Sequence, residues 1–239
     1  MDSKIIRIAT WNLGLFSWFK YASTFGIKLN GKEVKNEYFQ RSQINVIEEV
    51  IREINADICV LEELYTEEDI DFIFLKFKDL YPYHTTVNTW YHKHSILMLS
   101  KDQMHKSKLG ESEFNLIHTE RISFIPIHLN SFHARKRLSQ VESLLKEARD
   151  KRIDCILGDT NLWNYSKKSY FIFNKDKKAY KKLQEYFKDT TKQIGSTSKA
   201  GLNFDKIFVR KGLKFENPIC IKTNGKGMDH YAVFVDIQI

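Results

Sequence analysis

The sequence predicts a single α/β domain in which helices cover β-sheets. Short segments rich in Ile, Val, Leu and Phe alternate with amphipathic helical segments along the whole chain, and such alternation is typical of sheets packed against helices. No internal repeat, low-complexity tract or linker rich in Pro or Gly divides the 239 residues. Apolar residues make up 42% of the chain, which is enough to build a sizeable core. We therefore expect one domain spanning residues 1–239.

The individual elements follow from the spacing of apolar residues. In residues 36–55 apolar side chains recur every three to four positions, which predicts an amphipathic helix. Residues 67–80 are expected to be helical as well. Another amphipathic helix is marked by Leu138, Val141, Leu144, Leu145 and Ala148. The predicted strands are 4–10, 57–61, 94–100, 121–129, 153–157, 204–210 and 231–239.

The charge balance favours a polyanionic partner. Lys and Arg total 38 against 30 acidic residues, which gives a net charge of +8. Such an excess attracts nucleic acid first and anionic membrane second. A soluble surface that happens to be rich in lysine is the simpler alternative.

Other features bear on where the protein works. No segment reaches the roughly 20 uninterrupted apolar residues of a membrane span, and the N-terminal sequence does not have the pattern of a signal peptide. Cys59, Cys155 and Cys220 lie among apolar neighbours and are predicted to be buried free thiols. We expect an intracellular protein in a reducing compartment, monomeric and without peripheral membrane contact.

Polar residues lie at the ends of apolar strands at five separate places. Asn12 follows the first strand, Glu62 and Glu63 the second, and His128 closes a later one. Asp159 and Asn161 follow the strand at 153–157, and Asp229 and His230 open the last strand. Ligand sites in sheet-based enzymes lie in the crevice beyond strand ends, so these five segments are expected to converge on one site.

The residue types at these positions favour a hard divalent cation. Glu63, Asp159 and Asp229 offer carboxylate oxygens, and Asn12 and Asn161 add amide oxygens. This set selects Mg²⁺ or Mn²⁺ and argues against zinc. Each motif also has a simple structural explanation by itself; for example, residues 158–161 form an ordinary turn sequence, Gly-Asp-Thr-Asn.

The order of the motifs resembles the endonuclease/exonuclease/phosphatase superfamily, the DNase I-like proteins. The matching stretches are TWN at 10–12, DICVLEE at 57–63, HSILMLSK at 94–101, IHL at 127–129, GDTN at 158–161, FDKIF at 204–208 and MDHYAV at 228–233. The resemblance implies a four-layer α/β/β/α sandwich with two mixed β-sheets. It also implies a metal-dependent hydrolase acting on phosphate esters.

The resemblance assigns a role to each site residue. It makes Glu63 the main metal ligand, with Asn12 and Asp229 close to the metal. Asp159 and Asn161 would position and activate the attacking water. His230, oriented by Asp205, and His128 would contact the phosphate. Three positions depart from the superfamily pattern: Glu62 stands in place of Gln, Ile127 in place of Thr, and Met228 in place of Ser.

The substrate is less well defined by the sequence. Three features are similar to those of phosphodiesterases that act on 5′-tyrosyl DNA: the Thr of GDTNL, the HLNSF segment and residues 137–140. One feature differs, because Ser196-Thr197-Ser198 stands where those enzymes have an aromatic residue before FDKIF. We therefore expect a nucleic-acid phosphodiesterase, with DNA as the favoured substrate and end processing in DNA repair as a candidate role. The candidate substrate-binding residues are Arg137, Trp163, Trp18, Lys167 and Lys168.

Two alternatives stay open. Residues 15–25 are rich in aromatic side chains that could stack on bases or insert into a membrane, and insertion would suit a sphingomyelinase-like hydrolase of phospholipids. The second alternative is a nucleic-acid-binding module without catalytic activity.

Overall fold

The structure, a computed structural model, describes residues 4–14, 36–64, 67–89, 95–163, 174–223 and 229–239. Within these ranges the chain forms two six-stranded sheets and four α-helices. The first sheet contains β1 (Ile5–Asn12), β2 (Ile58–Leu64), β3 (Tyr83–Asn88), β4 (Ser95–Ser100), β11 (Lys214–Ile221) and β12 (Ala232–Gln238). Its strand order is β11-β12-β1-β2-β4-β3, and β1 and β2 are parallel while the other neighbours are antiparallel.

The second sheet repeats this arrangement. It contains β5 (His105–Lys108), β6 (Asn115–His118), β7 (Ser123–His128), β8 (Cys155–Asp159), β9 (Phe187–Asp189) and β10 (Asp205–Arg210). The order is β5-β6-β7-β8-β10-β9, with β7 and β8 parallel and the other neighbours antiparallel. Each sheet therefore has one parallel pair at its centre, which makes both sheets mixed.

The sheets pack face to face through a buried aliphatic layer. Ile8 and Val60 of the first sheet belong to one cluster with Phe124, Leu157 and Ile207 of the second. Alternate side chains of a strand point to opposite faces, so each sheet has a second apolar face to cover. The helices α1 (Asn36–Ile54) and α2 (Glu67–Phe77) cover the outer face of the first sheet. The helices α3 (Ala134–Ala148) and α4 (Asn174–Tyr186) cover that of the second.

This architecture confirms the predicted four-layer α/β/β/α sandwich. The predicted strands and the three predicted helices are all present, with bounds that shift by a few residues. All three cysteines are free thiols; Cys59 and Cys155 are buried as predicted, and Cys220 is partly exposed. Among the described residues, no helix is both long enough and apolar enough to cross a membrane.

Five strands and one helix were not predicted from the sequence, for identifiable reasons. The strand β5 has the sequence HKSK and is exposed at every position, so it carries no apolar alternation. The helix α4 lies in a lysine-rich segment for which no helix was predicted. Its buried side chains Asp176, Ala179, Tyr180 and Leu183 follow helical spacing, and the lysines occupy the other faces.

The strand register places both parallel pairs with their carboxyl ends at the same end of the sandwich. In the first sheet Asn12 is paired with Glu62, and in the second sheet His128 is paired with Asp159. Asp159 also lies opposite Asp205 at the start of β10. The polar residues predicted to converge therefore lie at one edge of the two-sheet core.

Candidate functional site

A bulge at the end of β2 lets two consecutive glutamates reach the same site. In a regular strand Glu62 and Glu63 would point to opposite faces. The pairing of β2 with β4 shifts between Leu61 and Leu64, and Glu63 takes a left-handed conformation with φ 62°. This conformation is strained for a residue other than glycine, and such strain is concentrated at functional sites. The bulge keeps Glu62 in the interior and directs Glu63 toward Asn12.

Carboxylate and amide oxygens of three predicted metal ligands surround Gly14. A Cβ atom placed on Gly14 would lie 2.8 Å from Asp229 Oδ1 and 3.3 Å from both Asn12 Oδ1 and Glu63 Oε2. The three oxygens therefore approach a common point from β1, from β2 and from the segment before β12. Hard oxygen donors gathered around one point suit Mg²⁺ or Mn²⁺, so the residues present fit a divalent cation.

Asn12 links this oxygen cluster to Asp159. Its Oδ1 accepts a hydrogen bond from Gly14 N at 2.8 Å, which fixes the amide orientation. The amide Nδ2 then donates to Glu63 Oε1 at 3.0 Å and to Asp159 Oδ2 at 2.9 Å. Because Asn12 belongs to the first sheet and Asp159 to the second, this amide joins the two halves of the site.

The turn after β8 orients Asp159 and Asn161. Asn161 has φ 48°, and its backbone N donates to Asp159 Oδ1 at 2.8 Å. Its side-chain Nδ2 donates to Leu129 O at 3.1 Å. Gly158 is required here, because a Cβ atom at this position would lie 1.9 Å from Ile127 O. The Gly-Asp-Thr-Asn turn is thus held in place between β7 and β10.

His230 is paired with a buried carboxylate. Its Nδ1–H donates to Asp205 Oδ2 at 2.8 Å. Burial by itself lowers the pKa of His230, but the negative charge of Asp205 outweighs this and raises the pKa well above its usual value. Thr197 Oγ1 accepts hydrogen bonds from the backbone N of Phe204 and of Asp205, at 3.0 and 3.1 Å. Trp11 Nε1 donates to His230 O at 3.2 Å, so the backbone of His230 is fixed as well.

His128 has the same kind of partner in Glu62. Its Nδ1–H donates to Glu62 Oε2 at 3.0 Å, and its Nε2 lies 3.7 Å from Glu63 Oε1. Glu62 also accepts from Thr10 Oγ1 at 2.9 Å and from Asp159 N at 3.0 Å. Every polar neighbour of Glu62 among these contacts is a donor, so the side chain acts purely as an acceptor.

The Glu62–His128 pair holds its proton on the imidazole. Burial lowers the pKa of His128, but the hydrogen bond to Glu62 and nearby negative charges outweigh it and raise the pKa to about 9. Burial raises the pKa of Glu62 to about 7, and His128 opposes part of that rise. His128 therefore keeps its proton after Glu62 has lost its own. Burial also raises the pKa of Glu63.

The structure brings all eight predicted catalytic and metal-binding residues to this end of the sandwich. Ligand atoms of Glu63, His128 and Asp159 lie within 4.8 Å of one another, as do those of Asp159, Asp205 and His230. Asp159 belongs to both groups and is the centre of the site. The two groups therefore place one shared carboxylate between two histidines.

The substrate-binding predictions have mixed outcomes. Trp163 is partly buried and its ring lies 5.4 Å from that of Phe204, centroid to centroid. Phe204 in turn stacks on His230 at 6.3 Å, so a row of rings leads out from the site. Trp18, Lys167 and Lys168 lie outside the described residues, as does Met228.

Arg137 is the one predicted substrate contact for which the structure gives a different role. Its side chain is buried, and it forms a bidentate pair with Asp176 of α4, with both N–O distances at 2.8 Å. Its Nη1 also donates to Asn130 O at 2.7 Å. A guanidinium engaged in this way has no accessible face for a substrate. We therefore replace the substrate role of Arg137 with a structural one.

Sequence reasoning passed over several residues that shape the site. Glu62 was placed at the strand end but given no role, whereas it is the partner of His128. Gly14, two positions after Asn12, carried a usable signal, since a glycine directly beyond a strand end often marks a close approach. Thr10 and Trp11 act through contacts with residues far away in the chain. Such contacts leave no pattern in the local sequence.

Comparison with known proteins gave matches at the level of structure. No protein-family model matches the sequence, and no curated protein matches it by sequence. Solved structures match over nearly the whole chain at low identity. An AP endonuclease from Archaeoglobus fulgidus has 16% identity and a TM-score of 0.68, covering 96% of this chain and 98% of that one.

Two other solved structures show the same likeness. TDP2 from C. elegans has 13% identity and a TM-score of 0.63, covering 100% of this chain and 77% of that one. An endonuclease/exonuclease/phosphatase from Beutenbergia cavernae has 13% identity and a TM-score of 0.69, with 99% and 72% covered. At such identities the likeness concerns the fold, and the chain therefore has the DNase I-like four-layer fold that these endonuclease/exonuclease/phosphatase structures share.

Proposed function

We propose that this protein is a metal-dependent phosphodiesterase acting on nucleic acid, with Mg²⁺ or Mn²⁺ as the cofactor. The observation that carries the proposal is the arrangement around Asp159. Two histidines, each backed by a buried carboxylate, lie on either side of it next to a cluster of metal-type oxygens. A phosphodiester needs a nucleophile, neutralisation of its oxygens and assistance to the leaving oxygen, and this site offers a group for each need.

The roles of the chain's own residues follow from their contacts. Glu63, Asn12 and Asp229 would hold the cation, which when bound polarises the phosphate as a Lewis acid. Asp159 accepts from Asn12 and Asn161, which leaves its carboxylate oriented to take a proton from an attacking water. The protonated imidazoles of His128 and His230 would donate hydrogen bonds to phosphate oxygens as negative charge develops.

Nucleic acid is the substrate class that the charge of the chain favours. The net charge of +8 attracts a polyanion toward a site that is itself acidic. The structural neighbours include TDP2 and an AP endonuclease, the second of which is a nuclease by name. Together with the GDTNL and HLNSF segments, this makes DNA ends, including 5′-tyrosyl ends, the first substrates to test. A role in DNA repair belongs to the same proposal.

The experiment offers the purified protein four substrates, with Mg²⁺ and with chelator. They are single-stranded DNA, duplex DNA with a 5′-tyrosyl end, RNA and sphingomyelin vesicles. We expect cleavage of nucleic acid that requires Mg²⁺ and is lost in the Glu63→Gln variant. Turnover of sphingomyelin without cleavage of nucleic acid would instead support a phospholipid hydrolase. Binding of nucleic acid without turnover of any substrate would support a non-catalytic module.

A further inference from the structure

A basic groove opens between the N-terminal ends of α3 and α4. It has a volume of about 910 Å³. The described residues that line it are Phe132, His133, Ala134, Arg135, Lys136, Leu138, Asn174, Lys175 and Lys178. Four of them carry a positive charge, and of the described lining residues none is acidic. The groove is therefore complementary to a polyanion rather than to an apolar or cationic ligand.

Phe132 gives the groove a second chemical feature. Its side chain is 72% exposed, the largest exposure of any large apolar side chain among the described residues. Exposed aromatic rings beside cationic side chains are the usual platform for unpaired bases, because every base has a face that can stack. A duplex keeps its bases stacked inside, so this combination favours a single strand.

The groove adjoins the candidate site. Phe132 follows His128 by four residues, so the chain connecting them spans at most about 14 Å. On the other side, Trp163 N donates to Asp176 Oδ2 at 3.4 Å, which joins the row of rings from His230 to the first turn of α4. Asn174, Lys175 and Lys178 of that helix line the groove. A strand bound at the site is thus within reach of the groove.

The backbone around the groove is held in place. Asn130 Oδ1 accepts hydrogen bonds from Phe132 N at 3.0 Å and from His133 N at 2.7 Å. The Arg137–Asp176 pair joins α3 to α4 directly behind the groove. A surface that is already ordered loses little entropy when it binds a ligand, which favours its use as a binding site.

We infer that this groove binds a segment of single-stranded nucleic acid that continues beyond the scissile phosphate. Backbone phosphates contact Arg135, Lys136, Lys175 and Lys178, and an unpaired base stacks on Phe132. The inference rests on the proposed function and deepens it, because it names the form of the nucleic acid and the path that the strand follows.

The test compares a long and a short substrate in the same variants. The short one is the p-nitrophenyl ester of thymidine 5′-phosphate, which has one nucleotide and cannot reach the groove. The long one is a single-stranded DNA of twelve nucleotides. In Phe132→Ala we expect the ratio of kcat/KM for the long substrate to that for the short one to fall at least fivefold, since stacking contributes about that much per base. In Lys175→Ala/Lys178→Ala we expect the same ratio to fall as well, because two contacts to backbone phosphates are lost.

The salt dependence gives an independent readout. For single strands, each lost phosphate contact lowers the slope of log affinity against log salt by about 0.7. The double lysine variant is therefore expected to lower the slope for the twelve-nucleotide strand by about 1.4, while Phe132→Ala leaves it unchanged. The matched control is Lys188→Ala/Lys214→Ala, because these two exposed lysines lie on strands at the opposite end of the sandwich. It removes the same charge and is expected to leave both ratio and slope as in the wild type.

Each outcome decides the inference. An unchanged ratio and slope in the groove variants would overturn it, as would an equal loss in the control variant. If the groove variants lose as much kcat/KM on a twelve-base-pair duplex as on the single strand, the choice of a single strand would be overturned. If the wild type turns over neither substrate, the proposed function has failed. The inference about the groove is then tested by measuring the binding of the labelled single strand by fluorescence anisotropy. If the groove variants then bind the strand as tightly as the wild type does, the inference is contradicted.

Discussion

Glu62 determines how the ring of His128 is presented to the site. The carboxylate accepts three kinds of donor, namely the Thr10 hydroxyl, the Asp159 amide and the His128 Nδ1–H. Glutamine has the same shape but carries an NH₂ group in place of one oxygen, so it cannot accept from all three. A Glu62→Gln variant must therefore release or reorient His128, or weaken the hold on Asp159.

We expect Glu62→Gln to lower kcat by about ten- to a hundredfold, the usual cost of losing a partner that orients an active-site histidine. KM for the short thymidine ester is expected to stay within about twofold, because the variant removes no substrate contact. Steady-state kinetics at saturating Mg²⁺ provides the measurement. A variant with wild-type kcat would show that the pair has no part in turnover.

The Glu62–His128 pair is also expected to make the stability of the metal-free protein depend on pH. Both pKa values are raised by folding, that of Glu62 from 4.5 to about 7 and that of His128 from 6.5 to about 9. The folded state thus binds more protons than the unfolded state in this range, so the free energy of unfolding falls as pH rises. The contribution of His128 is complete below 6.5 and is lost as pH passes through about 9.

Urea unfolding between pH 6 and pH 9.5 tests this. The wild type is expected to lose more stability over that range than Glu62→Gln, in which the carboxylate no longer supports the charge on His128. Equal losses in the two proteins would count against the ion pair.

Gly14 is the second residue on which the site depends. A Cβ atom here would meet Asp229 Oδ1 at 2.8 Å, but that oxygen is the end of a flexible, exposed side chain and can move aside. We therefore expect Gly14→Ala to fold with nearly wild-type stability in chelator. Its affinity for Mg²⁺ is expected to fall by about tenfold, because the displaced oxygen is one of the ligands. Isothermal titration with Mg²⁺, beside thermal unfolding in chelator, measures the two effects; unaltered affinity would argue against the assigned cation site.

At the level of elements, the ion pair between Arg137 and Asp176 connects α3 to α4. Both side chains are buried, and Asp176 has no exposed surface at all. Removing one partner leaves the other charge buried without its counterion, which costs about 3–5 kcal/mol. Replacing both with apolar residues removes that cost and is often neutral.

We accordingly expect Arg137→Met to lower the free energy of unfolding by about 3–5 kcal/mol, and Arg137→Met/Asp176→Leu to recover most of the loss. Urea denaturation in the two variants checks this. If Arg137→Met instead kept its stability and raised KM for the short ester, Arg137 would be a substrate contact, as its position in the sequence had suggested.

Some elements are marked by local sequence patterns and others depend on contacts between distant parts of the chain. Buried strands such as β8, with the sequence CILGD, were predicted because their apolar runs reflect a local environment. The bulge in β2 was not, because it depends on a register shift against β4, which is distant in the chain. For the same reason the sequence indicated Glu63 as a ligand and placed Glu62 beside it, but it did not indicate that Glu62 would pair with His128.

For the whole molecule, the resemblance carried by the order of motifs predicted the four layers correctly. It also indicated that five separate segments would meet at one place, and the two parallel pairs explain why they do. Each pair brings two strand ends to the same edge, and the face-to-face packing brings the two edges together. The role of Arg137 could not be predicted, since its partner Asp176 lies in a helix hidden within a lysine-rich run.

We propose that residues from both sheets act as one metal-dependent site centred on Asp159. The most direct measurement is the rate at which Asp159→Asn hydrolyses the p-nitrophenyl ester of thymidine 5′-phosphate at saturating Mg²⁺, relative to wild type. The substitution keeps the size of the side chain and removes its ability to take a proton. We expect the rate to fall by about 10²–10⁴-fold, the usual contribution of a general base. A rate within twofold of wild type, in a variant shown to be folded, would contradict the account.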